Sequence, residues 1–278
     1  MLHTYWFWLI IVSLGFVLLE RLRPWRQQRL LRPQFGQDLM WLALNGHVAG
    51  LALGFVFAAG ATAALKAAAA IGAPDPQTLQ LIAHWPLWLQ GITALIAKDF
   101  LEFGVHNLLH RIPILWRFHQ VHHSIQHMDW IGNFRFHWME IIIYKSLTWL
   151  PLIMLGTNEF VLFILAIIVT AIGHHNHSNL NIGWGPFKYV LNSPRFHLWH
   201  HDRTLPRGQD GTPANGCNFA IVFTCWDWIF GTAYFPKDGS TPARLGFPTD
   251  EQFPTSLIGR MIAPFIPRRN KTKTQVAE

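Results

Sequence analysis

Long apolar runs separated by short polar segments dominate the first part of the chain. They cover residues 2–19, about 38–71, and 79 to beyond 103. A helix that crosses a bilayer needs about 20 predominantly apolar residues. The pattern therefore predicts three membrane helices, with Pro86 either kinking the third or resetting its start, because proline removes a helix hydrogen bond.

Two shorter apolar runs follow, at residues 141–155 and 160–172. Both are short for a hydrocarbon core of about 30 Å, so they predict either two thin crossings or a hairpin that only dips into the bilayer. In both cases the pair begins and ends on one side. From Gly173 onward the chain is rich in glycine, proline and tryptophan, and we expect a helical cap lying on the membrane.

These elements predict an all-α fold, an integral membrane helical bundle of about four to five membrane helices with a cytoplasmic cap. We divide the chain into anchor helices at 1–98, a catalytic region at 99–235 and a C-terminal tail at 236–278. A small-residue stripe at one face of the second helix lets another helix approach closely, in the same chain or in a homo-oligomer. The stripe consists of Gly46, Gly50 and Gly54.

The orientation follows from the arginines after the first apolar run. A signal peptide would carry its positive charge before the run and small residues after it, whereas here the charge follows. Lys/Arg-rich loops stay on the cytoplasmic side, so the N-terminus is predicted outside. Counting crossings then places 106–137 and 174–201 together in the cytoplasm. The arginines are Arg21, Arg23, Arg26, Arg29 and Arg32.

Composition supports a membrane protein. Of 278 residues, 51% are hydrophobic and only 13% are charged, against about 25% charged in soluble proteins. A net charge of +7 is compatible with binding to nucleic acid or to an anionic membrane face. The 14 Trp and 21 Phe favour the membrane, so no nucleic-acid partner is predicted. Two cysteines exclude a disulfide framework.

Histidine is the second anomaly, because thirteen of sixteen lie between His106 and His201. Residues i, i+3 and i+4 share a helix face, so the H-x-x-x-H at 106–110 and the two H-x-x-H-H patterns at 119–123 and 197–201 bring imidazoles together. One zinc ion takes four ligands, so nine predict two metals, with iron, zinc, copper and nickel as candidates. The predicted ligands are His106, His110, His119, His122, His123, His177, His197, His200 and His201.

Seven further residues are candidates for additional ligands or for partners that orient the ligands. Metal-bound histidines commonly donate their other N–H to a carboxylate, which is the role we expect for Asp99 and Asp202. His137 is expected either in such a role or facing the substrate, since ionisable groups in a membrane are costly. The full set is His174, His175, His137, His127, Asp99, Asp202 and Glu140.

The motifs, in their order and spacing, resemble the fatty acid hydroxylase/sterol desaturase superfamily. The resemblance covers residues 99–232 and includes H-x-x-H-H-S at 119–124 and a closing W-D-x-x-F-G-T at 226–232. It implies a membrane-embedded site with two iron ions, or zinc in the isolated protein. It further implies O2-dependent hydroxylation or desaturation of a C–H bond in a fatty acyl, sterol-like, carotenoid or ether lipid.

Such a reaction needs two electrons per turnover. No G-x-G-x-x-G motif for a dinucleotide is present, so we expect an external ferredoxin- or cytochrome-type donor. Two alternatives use the same histidines. A zinc-dependent membrane hydrolase would need a general base such as the glutamate of H-E-x-x-H, which is absent here. A non-catalytic metal transporter or sensor would need polar residues through its membrane spans, which carry few.

Overall fold

A computed structural model describes residues 4–45, 63, 66–67, 69–72, 80–204 and 216–266. Within these residues the secondary structure is helical, without a β-strand. Two isolated bridges join Leu191 to Phe223 and Asp202 to Leu245. The predicted all-α class is thus confirmed for the described part of the chain.

In the described part of the chain, each of the first three apolar runs overlaps a helix with defined bounds, although the helix in the second run covers only its start. These helices are α1 (Tyr5–Leu22), α2 (Phe35–Ala43) and α3 (Leu87–Arg111). Pro86 immediately precedes α3, where it costs no helix hydrogen bond, so it resets the start of the helix and does not kink it. The predicted stripe of Gly46, Gly50 and Gly54 lies outside the described residues.

The next three helices are α4 (Pro113–His123), α5 (Trp138–Met154) and α6 (Glu159–His177). With 17 and 19 residues, α5 and α6 extend beyond the apolar runs that predicted them. By length and composition, α1 and α6 are able to cross a membrane. Both coincide with apolar runs in the sequence.

After α6 the described chain contains only short helices, namely α7 (Pro194–His200), α8 (Cys225–Ile229), α9 (Leu257–Ile262) and three short 3-10 helices. The sequence predicts a helical cap here; the described residues are helical only in these stretches, and a cap on the membrane stays a prediction. Most of 178–204 and 216–266 is irregular, because buried carboxylate and amide side chains bind its backbone N–H and C=O groups. Such side chains offer the backbone an alternative to helix hydrogen bonds.

Helix α6 packs against α1, α3 and α7, and α3 also packs against α4 and α5. Ala94, Leu152 and Leu165 join α3, α5 and α6 in one buried apolar cluster. The C-terminal ends of α3 and α6 therefore meet beside the N-terminal end of α5. The residues with metal-binding chemistry lie at this junction.

A buried ionic network fixes the segments around this junction. Arg32 binds Asp129 at 2.7 Å and Asp38 at 2.8 Å, while Arg135 binds both oxygens of Asp38, at 2.6 and 2.8 Å. All four side chains are almost fully buried. Arg32, which the sequence placed among the arginines that set orientation, is thus a structural residue.

The described part of the predicted C-terminal tail is folded onto the bundle. Phe247 and Phe253 form a buried cluster with Trp41 of α2 and Val121 of α4. Burial of large apolar side chains is the main favourable term in folding. Residues up to 266 therefore help to hold α4, with its histidines, against α2.

Candidate metal centre

Four segments supply the nine histidines that the sequence singled out. Helix α3 carries two near its C-terminal end, α4 carries three in its last turn and a half, and α6 ends in one. The remaining three belong to α7 and the residue that follows it. All nine are buried, with His177 the most exposed at 4%.

The nine side chains separate into two groups, and within each group the ligand atoms lie within 4.8 Å of one another. Each H-x-x-H-H motif contributes to both groups. Its first and last histidines, four residues apart, belong to one group and its middle histidine belongs to the other. Helices α4 and α7 therefore pack against each other through both groups. The first group is His106, His110, His119, His123 and His200, and the second is His122, His177, His197 and His201.

Hydrogen bonds fix which ring nitrogen carries the proton in five of these histidines. A carbonyl oxygen can only accept, so an Nδ1 that faces one must be the N–H donor and leave Nε2 with a lone pair. The acceptors are Phe219 O for His106 (2.7 Å), Glu140 Oε1 for His119 (2.6 Å), Arg135 O for His122 (3.3 Å), Gly173 O for His177 (2.9 Å) and Cys217 O for His200 (2.8 Å).

The free lone pairs face one another. Nε2 of His106 lies 3.2 Å from Nε2 of His119 in the first group, and Nε2 of His122 lies 3.2 Å from Nε2 of His177 in the second. With no proton between them these atoms repel, and a cation removes the repulsion. Two nitrogens bound at about 2.1 Å to one ion are about 3.0 to 3.4 Å apart. The donor set therefore fits a metal ion in each group.

Burial keeps these imidazoles in the form that binds metal. Desolvation, aided by the neighbouring imidazoles, lowers the pKa of the α4 and α7 histidines well below the ordinary value of 6.5. Metal ligation requires neutral histidine. Six of the nine side chains are thus neutral at physiological pH without any metal, namely His119, His122, His123, His197, His200 and His201.

Glu140, at the start of α5, takes one of the roles that the sequence suggested for it. Its Oε1 accepts the Nδ1–H of His119, and the residue is only 1% exposed. A carboxylate in this position fixes the tautomer and raises the basicity of the ligating nitrogen. Glu140 therefore orients His119 toward the first group.

Replacing Glu140 by glutamine tests this role. The amide keeps an acceptor for His119 but loses the negative charge, so we expect metal affinity or activity to fall by about 10- to 100-fold. Competition with a chelator would measure the affinity. Glu159→Gln, at the exposed start of α6, is the matched control. Equal chelator resistance of the two variants would contradict the assignment.

Asp99 does not accept from a ligating histidine as we expected. Its two oxygens accept the backbone N–H of Val222 (2.7 Å) and Phe223 (2.9 Å) and the indole N–H of Trp226 (2.9 Å). Asp99 thus holds the loop 217–223, whose carbonyls orient His106 and His200. It acts on the histidines through this loop.

Asp227, in the closing motif of the sequence, holds the same loop from the other side. It accepts the N–H of Phe219 (2.8 Å), the N–H of Ala220 (2.9 Å) and the hydroxyl of Thr232 (2.6 Å). Burial raises its pKa to about 6. Asp99 and Asp227 together accept four backbone N–H groups of the loop 217–223, those of Phe219, Ala220, Val222 and Phe223.

Four other candidates lie outside both groups, in places that the sequence did not predict. Asp202 accepts from the N–H of Thr204 at 3.1 Å. His137 caps α5, since its Nδ1 accepts from Met139 N at 3.1 Å, and its Nε2 is 2.9 Å from Met261 O. The structure does not bring these residues to the metal groups. His174 and His175 likewise point elsewhere, toward Ser13 and Trp184 respectively.

His127 is exposed and belongs to neither group. Two asparagines that the sequence analysis did not select contribute to the site. Asn176 donates to Ile221 O at 2.7 Å, and Asn192 donates to Ala220 O at 2.7 Å. Both support the loop 217–223. Asn176 lies directly before His177 and Asn192 shortly before the last motif, but nothing in their spacing indicates such distant partners.

A cavity of about 400 Å³ opens beside both groups. His106 and His119 of the first group line it, and so do His122, His177 and His197 of the second. This volume is within the usual range of small-molecule sites, about 300 to 1,000 Å³. Apolar side chains from several elements cover much of the wall, among them Leu9, Leu42, Phe136, Ile141, Ala166 and Val169.

Fold and site together define a helical protein with two buried histidine groups beside a largely apolar cavity. The profile of the family described as "Fatty acid hydroxylase" matches residues 91–232, just over half of the chain. The chain belongs to this family. The resemblance noted from the histidine motifs is thus confirmed.

Individual relatives are similar at low identity. The ornithine lipid hydroxylase OlsE of Rhizobium tropici is 28% identical over 190 residues, covering 64% of this chain and 55% of the relative. An alkylglycerol monooxygenase of Xenopus tropicalis is 26% identical, covering 53% of this chain and 30% of its own length. The cholesterol 25-hydroxylase of Mus musculus is 25% identical, covering 79% and 71%.

The chain thus spans about half of the first of these relatives and less than a third of the second. No solved structure matches the chain.

Proposed function

We propose that the protein is an O2-dependent di-iron enzyme that hydroxylates or desaturates an unactivated C–H bond of a membrane lipid. Its relatives are named as hydroxylases of ornithine lipid and cholesterol and as an alkylglycerol monooxygenase. These names support lipid oxygenation and an oxidoreductase. Because they cover different lipids, they do not select one of them for this chain.

The observation that carries the proposal is the position of the cavity. It is lined by histidines of both groups at one end and by apolar side chains from α1, α2, α5 and α6 elsewhere. An apolar wall beside polar catalytic groups is the usual form of a site for an apolar substrate. A lipid chain in this cavity lies directly against both metal positions.

Nine histidines, and no carboxylate or thiolate inside either group, favour a transition metal over calcium or magnesium. Iron bound there would supply the activation of O2 and the oxidation of the C–H bond. The protein's own residues hold the ions through nitrogen lone pairs, fix ring orientation through the loop 217–223 and Glu140, and exclude water by burial. The apolar wall positions the carbon to be oxidised.

We further propose that the protein is multi-pass, with the histidine groups on the cytoplasmic side, and that an external ferredoxin- or cytochrome-type protein supplies electrons. Four arginines in the last turn of α1 and in the segment after it are exposed, namely Arg21, Arg23, Arg26 and Arg29. They offer a positive surface to an acidic donor, because complementary charge steers association. Assembly into a homo-oligomer through Gly46, Gly50 and Gly54 remains part of this proposal.

The test uses purified, iron-loaded protein in lipid vesicles with O2 and a reductant, with lipids analysed by mass spectrometry. We expect a product that has gained one oxygen atom or lost two hydrogen atoms. Omission of O2, omission of the reductant and replacement of iron by zinc should each abolish it. A product that forms without O2 and reductant would contradict the proposal and favour hydrolysis.

A further inference from the structure

The cavity is not apolar throughout. Alongside the histidines and apolar residues, α3 and α5 place four ionisable side chains on its wall, within eight residues of His106 or Glu140. Ionisable residues in the membrane part of a protein are costly and usually mark a functional site. The four residues are Lys98, Glu102, Tyr144 and Lys145.

Lys98 and Glu102 form a buried ion pair one turn apart on α3. Lys98 is 1% exposed and also lies over the ring of Trp149, with Nζ 5.1 Å from its centroid. The second oxygen of Glu102 is buried and has no hydrogen-bond partner in the described part of the chain. This pair is electrically balanced and leaves one acceptor available to a ligand.

Lys145 is different, because the described residues provide no anionic partner within ion-pair distance of it. It is also the one exposed residue among those that line the cavity in the described part of the chain. An exposed residue in a cavity wall marks the place where the cavity opens. Lys145 therefore lies at the mouth, with Lys98 further inside.

Lys145 is the cation of this wall that lacks an anionic partner. Lys98 is paired with Glu102, and the carboxylate of Glu140 accepts a hydrogen bond from His119. The effective dielectric constant near a protein surface is lower than that of bulk water, so Lys145 at the mouth attracts an anion placed beside it. An uncharged hydrocarbon would leave this charge without a partner.

We propose that the cavity binds lipids that carry an anionic group, a carboxylate or a phosphate, which pairs with Lys145 at the mouth. This deepens the proposed function and rests on it only for the consequence that the bound lipid is oxidised.

The experiment measures binding without turnover, so it does not depend on the reaction. Palmitate, hexadecyl phosphate and hexadecanol share one chain length and differ in the polar group. Each is titrated into the full-length, iron-loaded protein in detergent, without reductant. We expect palmitate, hexadecyl phosphate or both to bind at least about tenfold more tightly than hexadecanol, as for a charge-assisted contact.

Three variants assign the selectivity to Lys145. Lys145→Gln should weaken binding of the preferred anion about tenfold and leave hexadecanol unchanged, and Lys145→Arg should retain the preference. Lys237→Gln, which removes an exposed lysine outside the cavity, is the matched control.

The inference would be overturned if all three ligands bound equally or if none bound. It would also be overturned if Lys145→Gln weakened the binding of palmitate and of hexadecanol to the same extent. Selective binding of palmitate would identify the anion as a carboxylate, and selective binding of hexadecyl phosphate as a phosphate. If selective binding is found but no lipid is oxidised in the turnover assay, the proposed function fails while the binding inference stands.

Discussion

Alanine at His123 is expected to remove the metal from the first group, and alanine at His201 is expected to remove it from the second. The Nδ1 atoms of both histidines lack a hydrogen-bond partner among the described residues, so truncation removes a ligand with little other loss. Iron measured by mass spectrometry should fall from about two ions per chain to about one in each variant. Lipid oxidation should fall by at least about 100-fold, since even an outer partner of a ligand is worth 10- to 100-fold.

The control for both variants is His127→Ala, which replaces an exposed histidine that belongs to neither group. This variant should retain its iron and its activity. The double variant, with alanine at both His123 and His201, should hold no stoichiometric iron. Loss of both ions in each single variant would show that the groups are one cooperative site, and unchanged iron would exclude these residues as ligands.

Methionine at Arg135 is expected to cause the largest loss of stability. The guanidinium binds both oxygens of Asp38 and donates to Ser124 O at 3.1 Å. Removing one partner leaves a buried charge without full compensation, which costs about 3 to 5 kcal/mol. Because the Arg135 carbonyl accepts from His122, iron in the second group should also be lost more readily on heating.

Thermal unfolding in detergent, followed by circular dichroism, measures this effect. The matched control is Arg203→Met, because Arg203 forms ion pairs with Asp250 and Glu251 but its side chain is 29% exposed. Arg244 also pairs with Asp250 and Glu251, so both carboxylates keep a cationic partner, and loss of the partly exposed Arg203 pairs costs about 1 kcal/mol or less. Equal shifts in melting temperature for the two variants would show that burial of the Arg135 network adds nothing.

The sequence was sufficient to predict which histidines come together. Spacings of i, i+3 and i+4 act within a single helix, so α3, α4 and α7 present their imidazoles as the periodicity requires. Pro86 and Pro113 stand at helix starts, where proline is favoured. These are local features, and local features can be taken from one sequence.

The division into two groups could not be predicted, because it depends on how α4 faces α7. The same limit applies to Asp99, whose partners Val222 and Phe223 are more than a hundred residues away. The irregular loop 217–223 exists because Asp99 and Asp227 bind its N–H groups, and no pattern along the chain shows those contacts. In the sequence Arg32 cannot be told apart from the four exposed arginines before it, because its pairing with Asp129 depends on the fold.

The proposed function depends on two metal ions held by the nine histidines beside the cavity. Anomalous X-ray scattering at the iron edge, from crystals of the iron-loaded protein, locates these ions. We expect two peaks, one in each histidine group, with Nε2 or Nδ1 atoms at about 2.0 to 2.2 Å. A single peak shared by both groups, or iron bound elsewhere with these imidazoles unliganded, would contradict the proposal.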